Sequence, residues 1–256
     1  MHKNLSTHLL KNELLSSQQH GFIKGRSTAL QLLSMLDNWT EALETGGQID
    51  TIYTDYEKAF DKVPHKRLVK KIASFGLPQQ TVRWMEAFLS GRQYRVKVNS
   101  KYSNWYQVKS GIPQGSVLGP LMFIMFINDI TEVCSNNEAH IYLFADDAKL
   151  CRHIVHESDY ELLQTALSKL QDWSETWLLK LNIQKCKAVS YGRNVNKDYK
   201  YHMLQEGTKM IVQRDDHIKD LGVTFDEKLD FGLHVAEKVN KAYSMLSSSS
   251  SSFNSQ

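Results

Sequence analysis

The sequence is poor in cysteine. Its 256 residues hold three, Cys134, Cys151 and Cys186. An odd number at wide spacing gives neither a disulfide framework nor a zinc pattern, which points to a reducing compartment. Long hydrophobic runs are also missing. The longest, Leu121-Met122-Phe123-Ile124-Met125-Phe126-Ile127, is too short to span a bilayer and reads as a fully buried helix. Met1-His2-Lys3-Asn4-Leu5 has no signal-peptide apolar core. Neither sign of charge dominates: 31 Lys and Arg against 28 Asp and Glu give +3, a weak global signal for nucleic acid. The local absence of acid says more. Lys62 to Lys71 contains Lys62, Lys66, Arg67, Lys70 and Lys71 and no acid. Ser90 to Ser110 contains Arg92, Arg95, Lys97, Lys101 and Lys109, again with no acid, interleaved with Tyr94, Tyr102, Trp105 and Tyr106. Cations among aromatics suit a phosphate backbone and stacked bases, although a solvated hairpin with ordinary ring packing has the same composition. The 41% hydrophobic and 23% charged content is that of a soluble globular chain, long enough for one large domain or two small ones.

What is present centres on Ile141 to Leu150, where Asp146 and Asp147 lie between two apolar runs. The runs predict two short strands with the acids at the turn. Successive side chains on a strand face opposite ways, but a tight turn can present both carboxylates at one edge. Carboxylate oxygens are hard ligands suited to Mg²⁺ or Mn²⁺. Asp55, which ends the β-prone run Thr51-Ile52-Tyr53-Thr54, is the candidate third carboxylate. By itself an Asp-Asp pair is an ordinary solvated turn; its neighbours decide.

In chain order, residues 1–20 predict a short helix and a loop. Ser27 is placed to cap a helix carrying Ala29, Leu30, Leu33, Leu36, Trp39, Ala42 and Leu43, stopped by Gly46-Gly47. Lys24 and Arg26 on the preceding glycine loop could hold a triphosphate, or the loop is a plain turn. Ile49 to Thr54 reads as a strand and Tyr56 to Asp61 as a turn. Pro64 opens a helix with Leu68, Val69, Ile72 and Phe75 on its apolar face. A helix over about 80–89, alternating Tyr94, Val96 and Val98, a turn at Asn99-Ser100-Lys101 and a partner strand over 105–108 follow. Ser110-Gly111-Ile112-Pro113-Gln114-Gly115 is a glycine-proline loop whose glycines permit close backbone approach. Ser158-Asp159-Tyr160-Glu161 fits a capping box at the start of a helix reaching Trp177. A strand over 188–191, a loop of about ten residues, two short strands over 208–225 with acids between them, and a helix over 235–246 complete the pattern. Ser247 to Ser252 is low-complexity sequence expected to be disordered.

Together these segments resemble the reverse transcriptases of non-LTR (LINE-type) retrotransposons, most nearly the jockey-like ones. Gly21-Phe22 through Arg26-Ser27-Thr28 resembles the fingers motif. Asp55 through Ala59-Phe60-Asp61 resembles the first palm motif, Ser110 to Gly115 the second, and Phe144-Ala145-Asp146-Asp147 the third. Leu181-Asn182 with Lys185 resembles the fourth, and Leu221-Gly222-Val223 the primer grip. The likeness covers roughly residues 10–246 and is specific because the motifs occur in order.

The resemblance implies an α/β (α+β) right-hand polymerase fold with a ferredoxin-like palm. Its expected divisions are partial fingers over 1–48, palm core with inserted fingers helices over 49–192, the end of the palm with primer grip and truncated thumb over 193–246, and a serine-rich tail over 247–256. It implies a nucleotidyltransferase, an RNA-directed DNA polymerase that joins dNTPs to a DNA primer on an RNA template. Asp55, Asp146 and Asp147 would bind Mg²⁺, with Mn²⁺ as a substitute. Two metals about 4 Å apart would activate the primer 3′-hydroxyl and stabilise pyrophosphate. Phe60 would exclude a ribose 2′-hydroxyl, and Tyr56, Gln114 and Gly115 would border the substrate. Lys24 and Arg26 would contact triphosphate, and Lys185 would protonate or neutralise pyrophosphate. Asp61 reads as a turn or cap. No membrane association is expected, and the family's life cycle implies nucleus, cytoplasm or both. Upstream fingers strands, a full thumb, an endonuclease region and a Cys-His cluster are not found, so a retrotransposon-derived fragment that at most binds RNA is the alternative. A palm-type cyclase or RNA-directed RNA polymerase is disfavoured by Phe60 and the Ser110–Gly115 loop.

Overall fold

The computed structural model describes residues 2–135 and 137–253, with side chains described through Leu246. Its helices and strands, in order, are α1 His2–Lys11, α2 Thr28–Glu44, β1 Gln48–Thr54, α3 Ala59–Lys62, α4 His65–Ser74, α5 Gln79–Leu89, β2 Gln93–Tyr94, β3 Lys97–Val98, β4 Lys101–Tyr102, β5 Tyr106–Gln107, α6 Gly119–Ile127, β6 His140–Phe144, β7 Asp147–Ile154, α7 Glu157–Trp177, β8 Lys187–Tyr191, β9 His202–Gln205, β10 Thr208–Ile211, β11 Gln213–Arg214, β12 His217–Asp220, β13 Val223–Asp226 and α8 Gly232–Phe253.

β1 is buried along its whole length because it lies in the middle of a five-stranded sheet of order β11-β8-β1-β7-β6. Its alternating side chains feed two cores. Ile52 points into the larger core with α4, α5, α6 and α7, while Ile49 and Tyr53 point into the second. Strands β6, β7, β1 and β8 pair antiparallel, and β11 joins β8 in parallel. Numbered along the chain, the four antiparallel strands lie in the order 4-1-3-2, with α6 and α7 in the two crossovers. That is the ferredoxin-like palm that the resemblance implied. α6 is apolar all round and every residue but Pro120 is buried, as a central helix should be.

The second core lies on the opposite sheet face. α2 is capped as predicted, with Ser27 Oγ accepting from the Leu30 N–H at 3.2 Å. It packs Leu32, Met35 and Trp39 against Tyr53, Tyr191 and Phe225, so α2 and the β12–β13 hairpin close over the same face.

Three expectations change. The cap of α7 is His156, two residues before the predicted Ser158, and its reciprocal partner is Asp159, not Glu161. Asp159 is also gripped by Arg152 at 2.6 Å, and this link to β7 fixes where the helix can start. Residues 208–225 form four short strands instead of two, because β9–β10 and β12–β13 are separate hairpins and β11 joins the main sheet. Finally, α8 runs on through the serine run to Phe253, where disorder was expected. Once a helix is nucleated each added residue gains a backbone hydrogen bond, and serine is only a mildly poor helix former. Residues 254–256 of that tail lie outside the described residues.

Candidate active site

The register of the sheet brings the acids together. Thr54 lies opposite Ala148, so the next residue, Asp55, comes level with Asp147. β6 pairs with β7 up to Phe144 opposite Asp147, which leaves Ala145-Asp146 as a two-residue turn. Ala145 has φ 55°, the positive value such a turn demands at its first position and one normally supplied by glycine. Three carboxylates from two distant segments therefore share one end of the sheet.

Their electrostatics reflect that. Burial raises the Asp146 pKa, a hydrogen bond from its own backbone opposes the rise, and the Asp55 charge adds to it. Burial, then the Asp146 and Asp220 charges, with a smaller contribution from Asp55, push Asp147 up to about 6 against the pull of Lys149. Asp147 keeps solvent contact, so water tempers the burial part, but the like charges fix the sign. Lys185 reaches the cluster, with Nζ 3.8 Å from Asp55 Oδ2; both groups are well exposed, so the pair is screened. It is placed there by backbone bonds, Asn182 N–H to Asp55 O at 2.7 Å and Glu57 N–H to Lys180 O at 2.9 Å.

The glycine-proline loop is zipped to the segment after Asp55. Ile112 N–H donates to Phe60 O and Gly111 N–H to Val63 O, each at 2.8 Å, and Ser110 Oγ donates to Asp61 O at 3.0 Å. Gly111, at φ 90°, could not carry a side chain, since a Cβ would lie 2.6 Å from Asp61 O. The close approach that this glycine permits is thus to the protein's own backbone. Gly115, at φ 75°, instead faces open space. Gln114 is exposed and donates through Nε2 to Asp61 Oδ1 at 3.1 Å; Asp61, expected at a turn or cap, lies within α3 and ties that helix to the glycine-proline loop. Phe60 is half-buried, stacked on Phe123 at 4.2 Å with Phe22 edge-on at 6.1 Å, so its ring is held rigidly beside the acids' segment.

Two substrate assignments need correction. The Tyr56 ring belongs to the main core, and its hydroxyl is buried without a hydrogen-bond partner. Its neighbours along the strand end face solvent while it alternates inward, so its side chain is not presented to a substrate. Arg26 turns back on the preceding loop: Nη1 donates to Ser16 O at 2.7 Å, to Ser17 O at 3.2 Å and to Gln19 O. A guanidinium committed to three carbonyls shapes that loop instead of reaching for a triphosphate. Lys24 remains exposed.

Sequence reasoning missed Gln19. It is 1% exposed and its side-chain amide brackets the Ala145-Asp146 turn. Oε1 accepts from Ala145 N–H at 2.8 Å and from Gly21 N–H at 2.7 Å, and Nε2 donates to Ala145 O at 3.2 Å. Around it, residues 18–20 dock on the edge of β6, with His20 N–H to Leu143 O at 2.8 Å and Leu143 N–H to Gln18 O at 3.1 Å. A Cβ on Gly21 would sit 2.3 Å from Ala145 N. Gly21 was the available signal, since a glycine permits close backbone approach, but its partner is not legible. The sequence also hid Lys149, 1% exposed in β7, whose Nζ meets buried Asp220 at 2.5 Å. This ion pair bolts the β12–β13 hairpin to the strand that carries Asp147.

Among the described residues, no group of three or more His, Cys, Asp or Glu side chains forms a metal cage by itself. Mg²⁺ needs no such cage. It is held by one or two carboxylates, with waters and substrate phosphates completing its shell. Mutually repelling oxygen ligands at one open sheet end fit that ion.

Comparison with known proteins agrees with the geometry. Residues 1–225 match the family described as reverse transcriptase (RNA-dependent DNA polymerase). A probable RNA-directed DNA polymerase from transposon BS of Drosophila melanogaster is 29% identical over 245 residues, covering 92% of this chain and 26% of the relative. The RNA-directed DNA polymerase from the mobile element jockey of the same species is 29% identical over 224 residues, covering 85% of this chain and 24% of the relative. The chain thus spans about a quarter of these curated relatives. Among solved structures, apo telomerase from Candida tropicalis, truncated from its C-terminal domain, superposes with a TM-score of 0.60 at 12% identity, over 90% of this chain and 43% of that one. This likeness carries the right-hand polymerase fold.

Proposed function

This chain belongs to the reverse transcriptase (RNA-dependent DNA polymerase) family, and from that premise we propose that it catalyses RNA-templated addition of dNTPs to a DNA primer, as the polymerase portion of a non-LTR retrotransposon protein. The single observation that supports this most is the convergence of Asp55, Asp146 and Asp147, with the charge of Asp55 raising the pKa of both hairpin acids. Such a cluster favours bound positive charge. Asp55 and Asp146 are the first choice as bridging ligands, with Asp147 accessory, for Mg²⁺ or, in its place, Mn²⁺. Bound there, divalent cations would acidify the primer 3′-hydroxyl and stabilise the charge of the departing pyrophosphate.

The chain's own residues supply position. The Phe60 ring, fixed between Phe22 and Phe123, would close the space that a ribose 2′-hydroxyl needs. Gln114 and Gly115 would border the templating pair on a loop zipped to Phe60 and Val63. Lys185 would meet the pyrophosphate, and its place beside Asp55 supports neutralisation of charge at the reacting end. Lys24 would approach the triphosphate from the 21–28 loop. The divisions into fingers, palm and thumb start follow the same reading, as does action in the nucleus or cytoplasm; no helix among the described residues is long and apolar enough to cross a membrane.

The test is extension of oligo(dT) on poly(rA) with dTTP and Mg²⁺, wild type beside Asp146→Ala. Extension by the wild type alone supports the polymerase. A folded wild type that binds the duplex without extending it favours the non-catalytic fragment, and equal activity in Asp146→Ala would sink the site assignment.

A further inference from the structure

Residues 92–108 form an exposed two-stranded ribbon. Tyr94 lies opposite Tyr106 and Lys97 opposite Tyr102. Between these pairs the returning strand holds one extra residue, a bulge over 103–105 that increases the twist. The tip, Asn99-Ser100, has φ 47° and 65°, the double positive turn that matches a twisted hairpin.

The ribbon's two faces differ. Arg95 and Lys97, two residues apart, share one face. There the Arg95 guanidinium lies 3.9 Å from the Tyr102 ring centre and 4.5 Å from that of Trp105, and Lys97 Nζ lies 5.3 Å from Tyr102. Both rings stay open to water, at 52% and 57% exposure. Tyr94, Val96 and Val98 take the other face. The segment from Ser90 to Ser110 supplies five cations and no acid. At its base the ribbon opens into a groove of about 730 Å³ that runs past Arg92 and Lys109 to Asp61 and Gln114.

We propose that the Arg95–Lys97–Tyr102–Trp105 face binds the unpaired stretch of an RNA template next to the base being copied; the strand's identity rests on the polymerase reading, while the surface does not. Three features carry it. A planar guanidinium between two accessible rings is a stacking platform that accepts any base. Cations without counter-acids release counterions from a phosphate backbone. The base of the ribbon, through Arg92, Tyr94, Gln107 and Lys109, lines a groove that reaches Gln114, which would border the templating pair. Cation–ring contacts also stabilise a bare ribbon, but that alone explains neither the five uncompensated cations nor the outward aromatic edges.

The test is fluorescence anisotropy of the 256-residue chain with two probes. One is a DNA primer on an RNA template carrying an unpaired 5′ RNA tail of about ten nucleotides, within the span of a stacking groove; the other is the same duplex blunt. Wild type should prefer the tailed probe. Arg95→Ala with Trp105→Ala should weaken the tailed probe about tenfold and leave the blunt one unchanged. Lys97→Ala should lower the slope of log affinity against log salt by about 0.7, the value for one phosphate on a single strand. Val96→Thr with Val98→Thr, on the opposite face, should change nothing and controls for ribbon folding. Equal binding of both probes by wild type, or ribbon variants that bind the tail as wild type does, overturns the proposal. So does a change in oligomeric mass on Arg95→Ala with RNA binding intact, since the face would then meet protein. Binding needs no catalysis, so failure of the polymerase reading would appear separately, as absent extension with tail binding preserved.

Discussion

Truncating Gln19 to alanine should loosen the Ala145-Asp146 turn without touching a charged residue. The substitution removes one donor and one acceptor shared by three backbone groups, the N–H and C=O of Ala145 and the N–H of Gly21. The side chain is 1% exposed, so those groups lose their partners in a place water reaches poorly. Each orphaned group costs about 1–3 kcal/mol. Allowing water to recover part of that through the cavity, the expected loss is about 3 kcal/mol. In a chain of this size that lowers Tm by roughly 6–12 °C. Asp146 is the residue after Ala145, so the displacement is passed to a carboxylate, and an error of about 1 Å at a reacting centre costs on the order of a hundredfold in rate. Primer extension by Gln19→Ala should therefore show a kcat at least tenfold lower with little change in KM for dNTP, at a temperature well below its Tm. Gln19→Glu separates placement from folding. It keeps acceptors for both N–H groups but sets a carboxylate against Ala145 O and next to Asp146. A variant with wild-type Tm and kcat would refute the clamp. Lowered Tm with full kcat in the cold would reduce Gln19 to a packing residue.

Three other outcomes follow from the same geometry. Phe60→Ala should reduce discrimination against ribonucleotides at least tenfold, about 1.4 kcal/mol, in competition between dTTP and UTP; unchanged selectivity would remove the gate. Asp147→Asn should abolish or strongly impair extension yet raise Tm by about 2–4 °C at pH 8, roughly 1 kcal/mol once solvent contact is discounted. Because the folded pKa is raised from 3.8 to about 6, stability is fully present below the lower value and falls as pH rises through the upper one. The advantage of the variant should thus vanish near pH 4, and a pH-independent difference would contradict the like-charge origin. Asp220→Leu should destabilise by about 3–5 kcal/mol by leaving Lys149 charged and buried, while Asp220→Leu with Lys149→Met should recover most of it; additive losses in urea denaturation would show that the pair is not coupled.

The palm as a whole was implied by the resemblance, while individual elements were legible from local signals. Apolar runs flanking Asp146-Asp147 gave both strands of the hairpin, Ser27 gave the α2 cap, and Asn99-Ser100 gave the ribbon tip. Asp55 stood out as a candidate third carboxylate from the β-prone run that it ends, but its level placement with Asp147 is a matter of strand register, which the sequence does not record. Side-chain direction was less legible. Tyr56 next to Asp55 looks like a site residue, but strand alternation turns it into the core. Arg26 looks like an anion ligand until the loop that it binds is folded. Gln19 and Lys149 reach partners 126 and 71 residues away, and no periodicity records such pairings.

The placement of charge around the site follows one physical logic. Three acids repel one another at the sheet end, and an arginine in place of Gln19 would relieve that repulsion most directly. It would also hold their pKa values down and compete with a metal for the same oxygens. The protein instead braces the turn with a neutral amide, which supplies two-way hydrogen bonding to the backbone and leaves the carboxylates negative. The cation that the hairpin does carry, Lys149, meets Asp220 at 2.5 Å, and this partner consumes most of its charge and adds to the rise at Asp147. The remaining cation, Lys185, is exposed and 3.8 Å from Asp55, so it can be displaced or follow a leaving anion. The like charges at this sheet end raise the pKa of both hairpin acids, and a divalent cation bound there by the folded state alone would stabilise the fold, as ligand linkage requires.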